Sequence, residues 1–277
     1  MNKLLKANFS RLKKETSLWL VAGATLGLMI ALVTDWTIQN SKTGETINTL
    51  NGGLFELIPV VGIIYALFIA PYLGKEYSDK TIRNKLVVGH KRENIYLANY
   101  ITCLAGSLFI YSMFFVGGFA VGVPLLGGWQ GEISTLITYI FIGVFFTASL
   151  ASILTMFCML CSRRSVSAVV SIIIMFMLML SASTVYSSLC EPETMHDVIL
   201  NEYGGYELGE LMQNPLYISG FKRTVFEFLM QFLPTGQGIL IANEEVTHPV
   251  LNIIYSMATT VIVNFCGIAA FKKKDIK

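Results

Sequence analysis

Residues 133–162 read ISTLITYIFIGVFFTASLASILTMFCMLCS, a run of 30 residues without a charged side chain. A helix that crosses a lipid bilayer needs about 20 mostly apolar residues, whereas a barrel strand needs only about 10 residues of alternating polarity. The run is long enough for a membrane-spanning helix and too continuous for a barrel strand. It therefore predicts a helical membrane protein.

Five further runs of at least 18 residues also lack charged side chains. They lie at 16–34, 57–74, 94–131, 165–190 and 246–271. Each can supply one membrane-spanning helix. We expect six spans, at about 17–36, 55–74, 95–118, 134–161, 165–189 and 250–271.

The composition excludes several classes of protein. The chain is 54% hydrophobic and 14% charged, whereas an ordinary soluble domain is about 25% charged. A soluble enzyme and a disordered chain are therefore excluded. The net charge of +2 is too balanced for a nucleic-acid-binding surface, so no nucleic-acid partner is expected.

The basic residues are distributed unevenly between the two sides of the predicted membrane. With six spans and both termini in the cytoplasm, 17 of the 20 basic residues lie inside, as the positive-inside rule requires. A second span within 94–131 would place the basic residues of 163–164 and 272–277 outside the cell, against this rule, so we assign one span there. The inside residues are Lys3, Lys6, Arg11, Lys13, Lys14, Lys75, Lys80, Arg83, Lys85, Lys91, Arg92, Arg163, Arg164, Lys272, Lys273, Lys274 and Lys277.

The segment 1–16 is predicted to form a separate helix. Its basic residues surround one face that carries Leu4, Leu5, Asn8, Phe9 and Leu12. This pattern is typical of an amphipathic helix that lies along the cytoplasmic headgroups. The alternative is a basic tail that only sets the orientation of the first span.

The outer region 190–247 is acidic and too interrupted to span a membrane. Phe221–Leu233 is predicted to form an amphipathic helix, Pro234–Gly238 to break it, and Ile239–Ala242 to follow as a short apolar run. This order predicts a re-entrant hairpin before the sixth span. Irregular backbone at membrane depth must be covered by protein, so the hairpin should pack against the spans.

The cytoplasmic loop 75–93 is predicted to contain a short helix over 78–88. Ser78 is a suitable N-cap and Gly89 a suitable stop. Glu76–Lys80 and Asp79–Arg83 are spaced for ion pairs along the helix, and Ile82 and Leu86 form an apolar ridge. The loop is either a docking helix for a soluble partner or a solvated loop that sets the topology.

The residues of this loop resemble those of a known family. Gly74-Lys-Glu-Tyr, then Lys80-Thr-Ile-Arg-Asn-Lys-Leu, Gly89 and Arg92 look like the cytoplasmic loop of ABC-2-type exporter permeases. These are bacterial membrane subunits linked to bacitracin and lantibiotic export and immunity, and to export of amphipathic peptides such as phenol-soluble modulins. The resemblance extends over the whole chain, which implies a single transmembrane domain over 1–277 with an interfacial helix, six spans, a coupling helix and an outer hairpin.

The resemblance implies partners and a contact surface. Two permeases would pair with two ATPase subunits in a bacterial plasma membrane, and a hydrophobic or amphipathic peptide would be the substrate. The loop between spans two and three would contact the ATPase. By position, the contact residues would be Glu76, Tyr77, Lys80, Thr81, Ile82, Arg83, Asn84 and Leu86.

The sequence contains no motif for chemistry of its own. It has no G-x-x-x-x-G-K-[ST] phosphate loop and no HExxH metal motif. We therefore expect no catalytic residue, metal or cofactor in this chain, with ATP and Mg²⁺ on the partner ATPase. Three alternatives stay open: an ion- or proton-coupled secondary transporter, an intramembrane enzyme, and a scaffold or sensor subunit.

Overall fold

The computed structural model describes residues 1–44, 49–200 and 206–275. The long helices follow the charge-free runs, and the helical segment Leu50–Ser78 extends beyond its run at both ends. The helices are α1 (Asn2–Lys13), α2 (Thr16–Thr43), α3 (Leu50–Leu54), a short 3₁₀ helix (Ile58–Val60), α4 (Val61–Ser78), α5 (Thr81–Val87), α6 (Arg92–Leu126), α7 (Ile133–Leu160), α8 (Arg164–Cys190), α9 (Gly220–Phe232), α10 (Pro234–Ala242) and α11 (Pro249–Lys273).

Six of these helical segments are long and apolar enough to cross a membrane within the described residues. They are α2, the segment Leu50–Ser78 that contains α3 and α4, α6, α7, α8 and α11. The predicted six-span, all-α membrane fold is therefore confirmed. The pair α9–α10 is bent by 89° and would make a seventh span only if it were counted as one helix.

The six spans are buried to very different degrees. Span two and α7 form the centre, with 61% and 56% of their most apolar window buried, whereas α8 and α11 have 17% and 22%. Large side chains such as Tyr65, Phe68 and Phe146 fill the centre. Phe176 on α8 and Phe265 on α11 point outward and are 47% and 74% exposed, as suits a surface that faces lipid.

The helix α11 buries its polar face and exposes its apolar face. Asn252, Ser256, Thr259 and Asn264 are buried, and α11 packs against α7 and α6. Such small and polar residues are typical of helix contacts in a bilayer, where the apolar side chains face the lipid. The last span is therefore built for a membrane rather than for water.

The α10 half of the bent pair is covered by protein, as the hairpin prediction requires, whereas α9 buries only Met230. Gln237 is fully buried, donates to the carbonyls of Gln231 (2.7 Å) and Asn252 (3.1 Å), and accepts from Ser256 Oγ (2.7 Å). The predicted break over Pro234–Gly238 is wrong in extent. The chain turns at Leu233, and Pro234 occupies the first turn of α10, where its missing N–H costs no hydrogen bond.

A β-hairpin in the region 190–247 was not predicted. The strands β1 (Thr194–Leu200) and β2 (Tyr206–Gln213) pair antiparallel, from Thr194 opposite Gln213 to Leu200 opposite Tyr206. The ladder shifts register between His196 and Val198. The polarity of these strands alternates too weakly to separate them from an acidic loop.

Candidate functional site

One end of the bundle collects most of the basic residues, and we call it the basic end. It is formed by α1, the end of α4, α5, the start of α6, the end of α7 and the end of α11. Hydrogen bonds and ion pairs join these segments across long distances in sequence, such as Arg11 to Glu76 and Arg92 to the carbonyl of Phe271. The predicted coupling residues lie here.

Glu76, near the end of α4, is the centre of a buried polar cluster. Its side chain is 0% exposed. Its Oε1 accepts from Arg11 on α1 at 2.6 Å and from Lys85 on α5 at 2.5 Å, and its Oε2 accepts from Asn99 on α6 at 2.6 Å. A buried carboxylate persists only when it is paired and hydrogen-bonded in this way. Glu76 therefore joins α1, α4, α5 and α6.

Two asparagines close the cluster. Asn8, on the buried face of α1, donates from Nδ2 to Asn99 Oδ1 at 2.7 Å and accepts from Lys85 Nζ at 3.0 Å. Tyr72 donates to the carbonyl of Asn8 at 3.2 Å, and the guanidinium of Arg11 lies 4.1 Å from the centre of the Tyr72 ring. The polar residue within the apolar face of α1 is thus a specific contact with the bundle.

The electrostatics of the cluster are dominated by burial and by Glu76. Burial lowers the pKa of Lys85, although Glu76 opposes that effect. Burial also works against the charge on Arg11, but Glu76 and Tyr72 outweigh it, so the pKa of Arg11 is raised. The Glu76 carboxylate therefore compensates the charges of both Arg11 and Lys85. Loss of that carboxylate would leave both cations without their acidic partner.

A second cluster joins the end of α11 to the rest of the basic end. Lys274 donates from Nζ to Tyr77 Oη at 2.9 Å and to the carbonyl of Met159 at 3.0 Å. Tyr77 also donates to that carbonyl. Arg92 donates to the carbonyls of Phe271 and Lys274. Spans two, three, four and six are tied together here.

The helix α5 is shorter than predicted and begins later. It starts at Thr81 instead of Ser78, because α4 continues through Ser78 and the chain turns at Lys80, whose φ is 54°. The stop at Gly89 is confirmed by its φ of 93°. The predicted pair Glu76–Lys80 is wrong, since Glu76 bonds Arg11 and Lys85 instead.

The predicted contact residues differ in how far they are exposed. Glu76 is 0% exposed and Ile82 is 1% exposed, and both belong to the interior of the chain. Tyr77, Thr81 and Leu86 are half-buried, whereas Lys80, Arg83 and Asn84 are exposed. Val87 and Val88, which the sequence prediction missed, are 80% and 76% exposed at the end of α5. We call Lys80, Arg83, Asn84, Val87 and Val88 the loop tip.

The fold and this site define a multi-pass membrane protein with a short helix, α5, held on its basic end. A family model described as ABC-2 family transporter protein matches residues 4–201, and the chain belongs to this family. It is thus an ABC-2-type permease, a membrane subunit whose family works with an ABC ATPase. The matched range includes the whole Glu76 cluster. A search of curated proteins found no significant match.

Proposed function

We propose that this permease is the membrane subunit of an ATP-driven exporter in a bacterial plasma membrane, with both termini in the cytoplasm. Two copies would work with two copies of a separate ATPase, which would bind ATP and Mg²⁺. The observation that carries the proposal is the joint geometry of the Glu76 cluster and the loop tip. The exposed tip offers a contact, and the buried cluster connects that contact to the spans.

The loop tip has the composition of a docking surface. Val87 and Val88 place two apolar side chains in solvent, where they gain nothing unless a partner covers them. Lys80 and Arg83 stand beside them and supply positive charge. A partner with an apolar pocket and an acidic rim would complement this tip, since interface cores are apolar and rims are polar.

Glu76 and Ile82 support coupling from behind this surface. Ile82 is buried against the bundle and Lys85 is bonded to Glu76, so α5 cannot shift without disturbing that contact. Glu76 in turn holds Arg11 of α1 and Asn99 of α6. A push on the tip would therefore reach α1, α4 and α6 together. This gives the predicted contact residues two roles, contact at the tip and transmission beneath it.

The substrate would be a hydrophobic or amphipathic peptide. A cavity of about 700 Å³ opens at the opposite end of the bundle, between α8, α9, α10 and the loop that precedes α11. Leu189, Met230 and Leu240 supply an apolar wall, Glu245 supplies a carboxylate, and Glu227 lies there in an ion pair with Arg223 at 3.1 Å. An apolar wall beside acidic groups suits a cationic amphipathic chain, which supports a peptide cargo of that kind.

Coupling is tested by reversing one charge of the loop tip. The permease is purified from native membranes, the ATPase that accompanies it is identified by mass spectrometry, and the pair is reconstituted in liposomes. Arg83→Glu should abolish co-purification of the ATPase and reduce substrate-stimulated ATP hydrolysis at least about tenfold, as for loss of a central interface residue. Lys222→Glu, on exposed α9 at the far end, is the control and should have no effect.

The secondary-transporter alternative makes the opposite prediction. Asp35 in span one and Glu56 in span two are exposed, whereas proton relays are normally buried. If transport persists without any ABC ATPase and stops when a protonophore is added, the exporter proposal is wrong. Normal ATPase binding and transport by Arg83→Glu would instead reject only the loop-tip contact.

A further inference from the structure

A groove of about 510 Å³ runs between α4 and α8 near the basic end of the bundle. Its lining is polar at one end and apolar along the rest. Arg164 and Ser165 form the polar end, and Ala66, Leu67, Pro71, Ala168 and Ile172 line the remainder. Arg164 and Ile172 are eight residues apart on one helix, so the groove extends about 12 Å along the bundle.

The polar end carries an unpaired positive charge. Arg164 makes no hydrogen bond or ion pair with the described residues, and no acidic residue lines the groove. The base of the Arg164 side chain lies close to α4 at Gly74. A Cβ on Gly74 would lie 2.8 Å from Arg164 Cγ. Arg164 is exposed at the mouth of the groove, so its charge is available to a ligand that binds there.

We propose that this groove binds an anionic phospholipid, with the headgroup phosphate on Arg164 and one acyl chain along Leu67, Ala168 and Ile172. The charge of the polar end selects an anion, and the apolar remainder selects a long hydrocarbon chain. The N-terminus of α8 has no side-chain cap, so its first amides lie at the same end and also favour a phosphate. The basic residues place this end at the cytoplasmic leaflet by the positive-inside rule, where anionic lipids attract such residues.

A bound lipid would bridge two spans that differ in burial. Span two is the most buried of the six and α8 the least, and α4 and α8 are in direct contact. A lipid in the groove would contact both along one side. The inference does not depend on the substrate or on the coupling contact.

The test measures which lipid the purified full-length chain retains. The protein is exchanged into mild detergent with equal amounts of phosphatidylglycerol and phosphatidylcholine, and retained lipids are counted by native mass spectrometry. Wild type should retain phosphatidylglycerol preferentially. Arg164→Gln keeps the Cγ that packs on Gly74 but removes the charge, and it should reduce the preference about fivefold. Arg164→Lys should restore most of it.

Two further variants make the result specific to the groove. Arg163→Gln removes a neighbouring charge that does not line the groove and should leave the preference nearly unchanged. Ala168→Trp fills the apolar part and should reduce retention of both lipids. The proposal is wrong if wild type shows no preference, if Arg164→Gln matches wild type, or if Arg163→Gln has the same effect as Arg164→Gln.

A second copy of the chain could cover the same groove. In that case Ala168→Cys should cross-link two copies in native membranes above the level of wild type, and the purified chain should retain no lipid. That result would reject the lipid proposal while leaving the exporter proposal intact. Conversely, preferential lipid retention would stand even if Arg83→Glu had no effect on ATPase binding.

Discussion

At the scale of single residues, Glu76 is the centre of a dense set of buried polar contacts among the described residues. Its two carboxylate oxygens accept from three side chains on three helices, Arg11, Lys85 and Asn99, and none of its surface is exposed. A buried ion pair is costly to desolvate, so it adds less stability than its geometry suggests. Removing one partner is far more damaging, because the other charges stay buried without compensation.

Glu76→Gln should therefore destabilise the protein strongly while preserving the shape of the side chain. Two cations would face a neutral amide, and we expect a loss of about 3–5 kcal/mol in the free energy of unfolding. Denaturant titration of the detergent-solubilised protein measures this. Glu93→Gln breaks an exposed ion pair with Lys272 and should have a much smaller effect.

The charge balance of the cluster supplies an internal check. Lys85→Met in the Glu76→Gln background removes one uncompensated cation and should recover part of the lost stability. If Glu76→Gln and Glu93→Gln destabilise equally, or if Lys85→Met makes the double variant worse, Glu76 does not hold the cluster together in the way proposed.

At the scale of helices, close approach between spans depends on glycine at specific contacts. Gly143 on α7 faces Tyr111 on α6, and a Cβ at Gly143 would overlap with the Tyr111 hydroxyl. That hydroxyl donates to the carbonyl of Ile140 at 3.3 Å. The small residue therefore lets α6 and α7 approach while the tyrosine is hydrogen-bonded to the adjacent helix.

Gly143→Ala should reduce stability by about 1–3 kcal/mol, because the methyl group forces the tyrosine or the helix to move. Tyr111→Phe in the same protein removes the nearest overlapping atom but leaves Cζ 2.6 Å from the new methyl group, so it should restore only part of the loss. Gly23→Ala is the matched control, since no atom lies within 4 Å of a Cβ there. Thermal unfolding of the three variants decides the point, and equal effects of Gly143→Ala and Gly23→Ala would contradict it.

The helix α5 shows which contacts the spacing of residues within one segment can predict and which it cannot. Spacing along the helix predicted that Glu76 pairs with Lys80 and that Ile82 faces a partner. Both inferences considered neighbours in sequence only. In the structure Arg11, 65 residues away, reaches Glu76, and Ile82 packs inward. The contact between α1 and α5 has no signal in a single sequence, although Asn8 within an otherwise apolar face was an indication that α1 meets a polar partner.

Ile82→Asp and Arg83→Glu should consequently behave differently, although the residues are adjacent. Ile82→Asp buries a carboxylate and should cost at least about 3 kcal/mol of folding stability. Arg83 is exposed, so Arg83→Glu should stay within about 0.5 kcal/mol of wild type. Denaturant titration separates them. A stable Ile82→Asp variant that fails to bind the ATPase would mean that Ile82 faces the partner after all.

The spans themselves could be predicted because membrane solvation imposes a simple rule on composition. Runs without charge located all six, and the basic residues at their ends marked one face of the bundle. The ends of α2 and α6 extend well beyond the predicted 36 and 118, to Thr43 and Leu126, because a helix does not stop where the membrane does. The β-hairpin could not be predicted, since a two-stranded ribbon has no buried face to leave a pattern.

At the scale of the whole molecule, the near-neutral net charge hides two opposed ends. In the predicted topology the inner segments carry 17 basic and 5 acidic residues, or +12, and the outer segments carry 3 basic and 13 acidic, or −10. These counts include Lys277, Glu45 and Glu202, which lie outside the described residues. The described basic residues of α1, α5 and the end of α11 meet at one end through the two clusters. At the basic end, α1 and the end of α11 are therefore both bonded to α4 and α6.

Lys274 makes this junction dependent on pH. Its amino group is half-buried between Tyr77 and the carbonyl of Met159. Burial lowers the pKa of Lys274 from 10.5 to about 8. Between these values the unfolded chain binds a proton at Lys274 that the folded chain does not, so stability rises with pH. Below about pH 8 the cost of burying the charge is present in full.

Comparing wild type with Lys274→Met across this window isolates the effect. The methionine cannot titrate, so the stability of wild type relative to the variant should increase as the pH rises from about 8 to about 10.5. Other titrating groups, including Lys85, are common to both proteins and cancel in the difference. Lys273→Met changes an exposed neighbour and should track wild type at every pH. A difference that is constant or shrinks with pH would show that Lys274 is not held between α4 and α7.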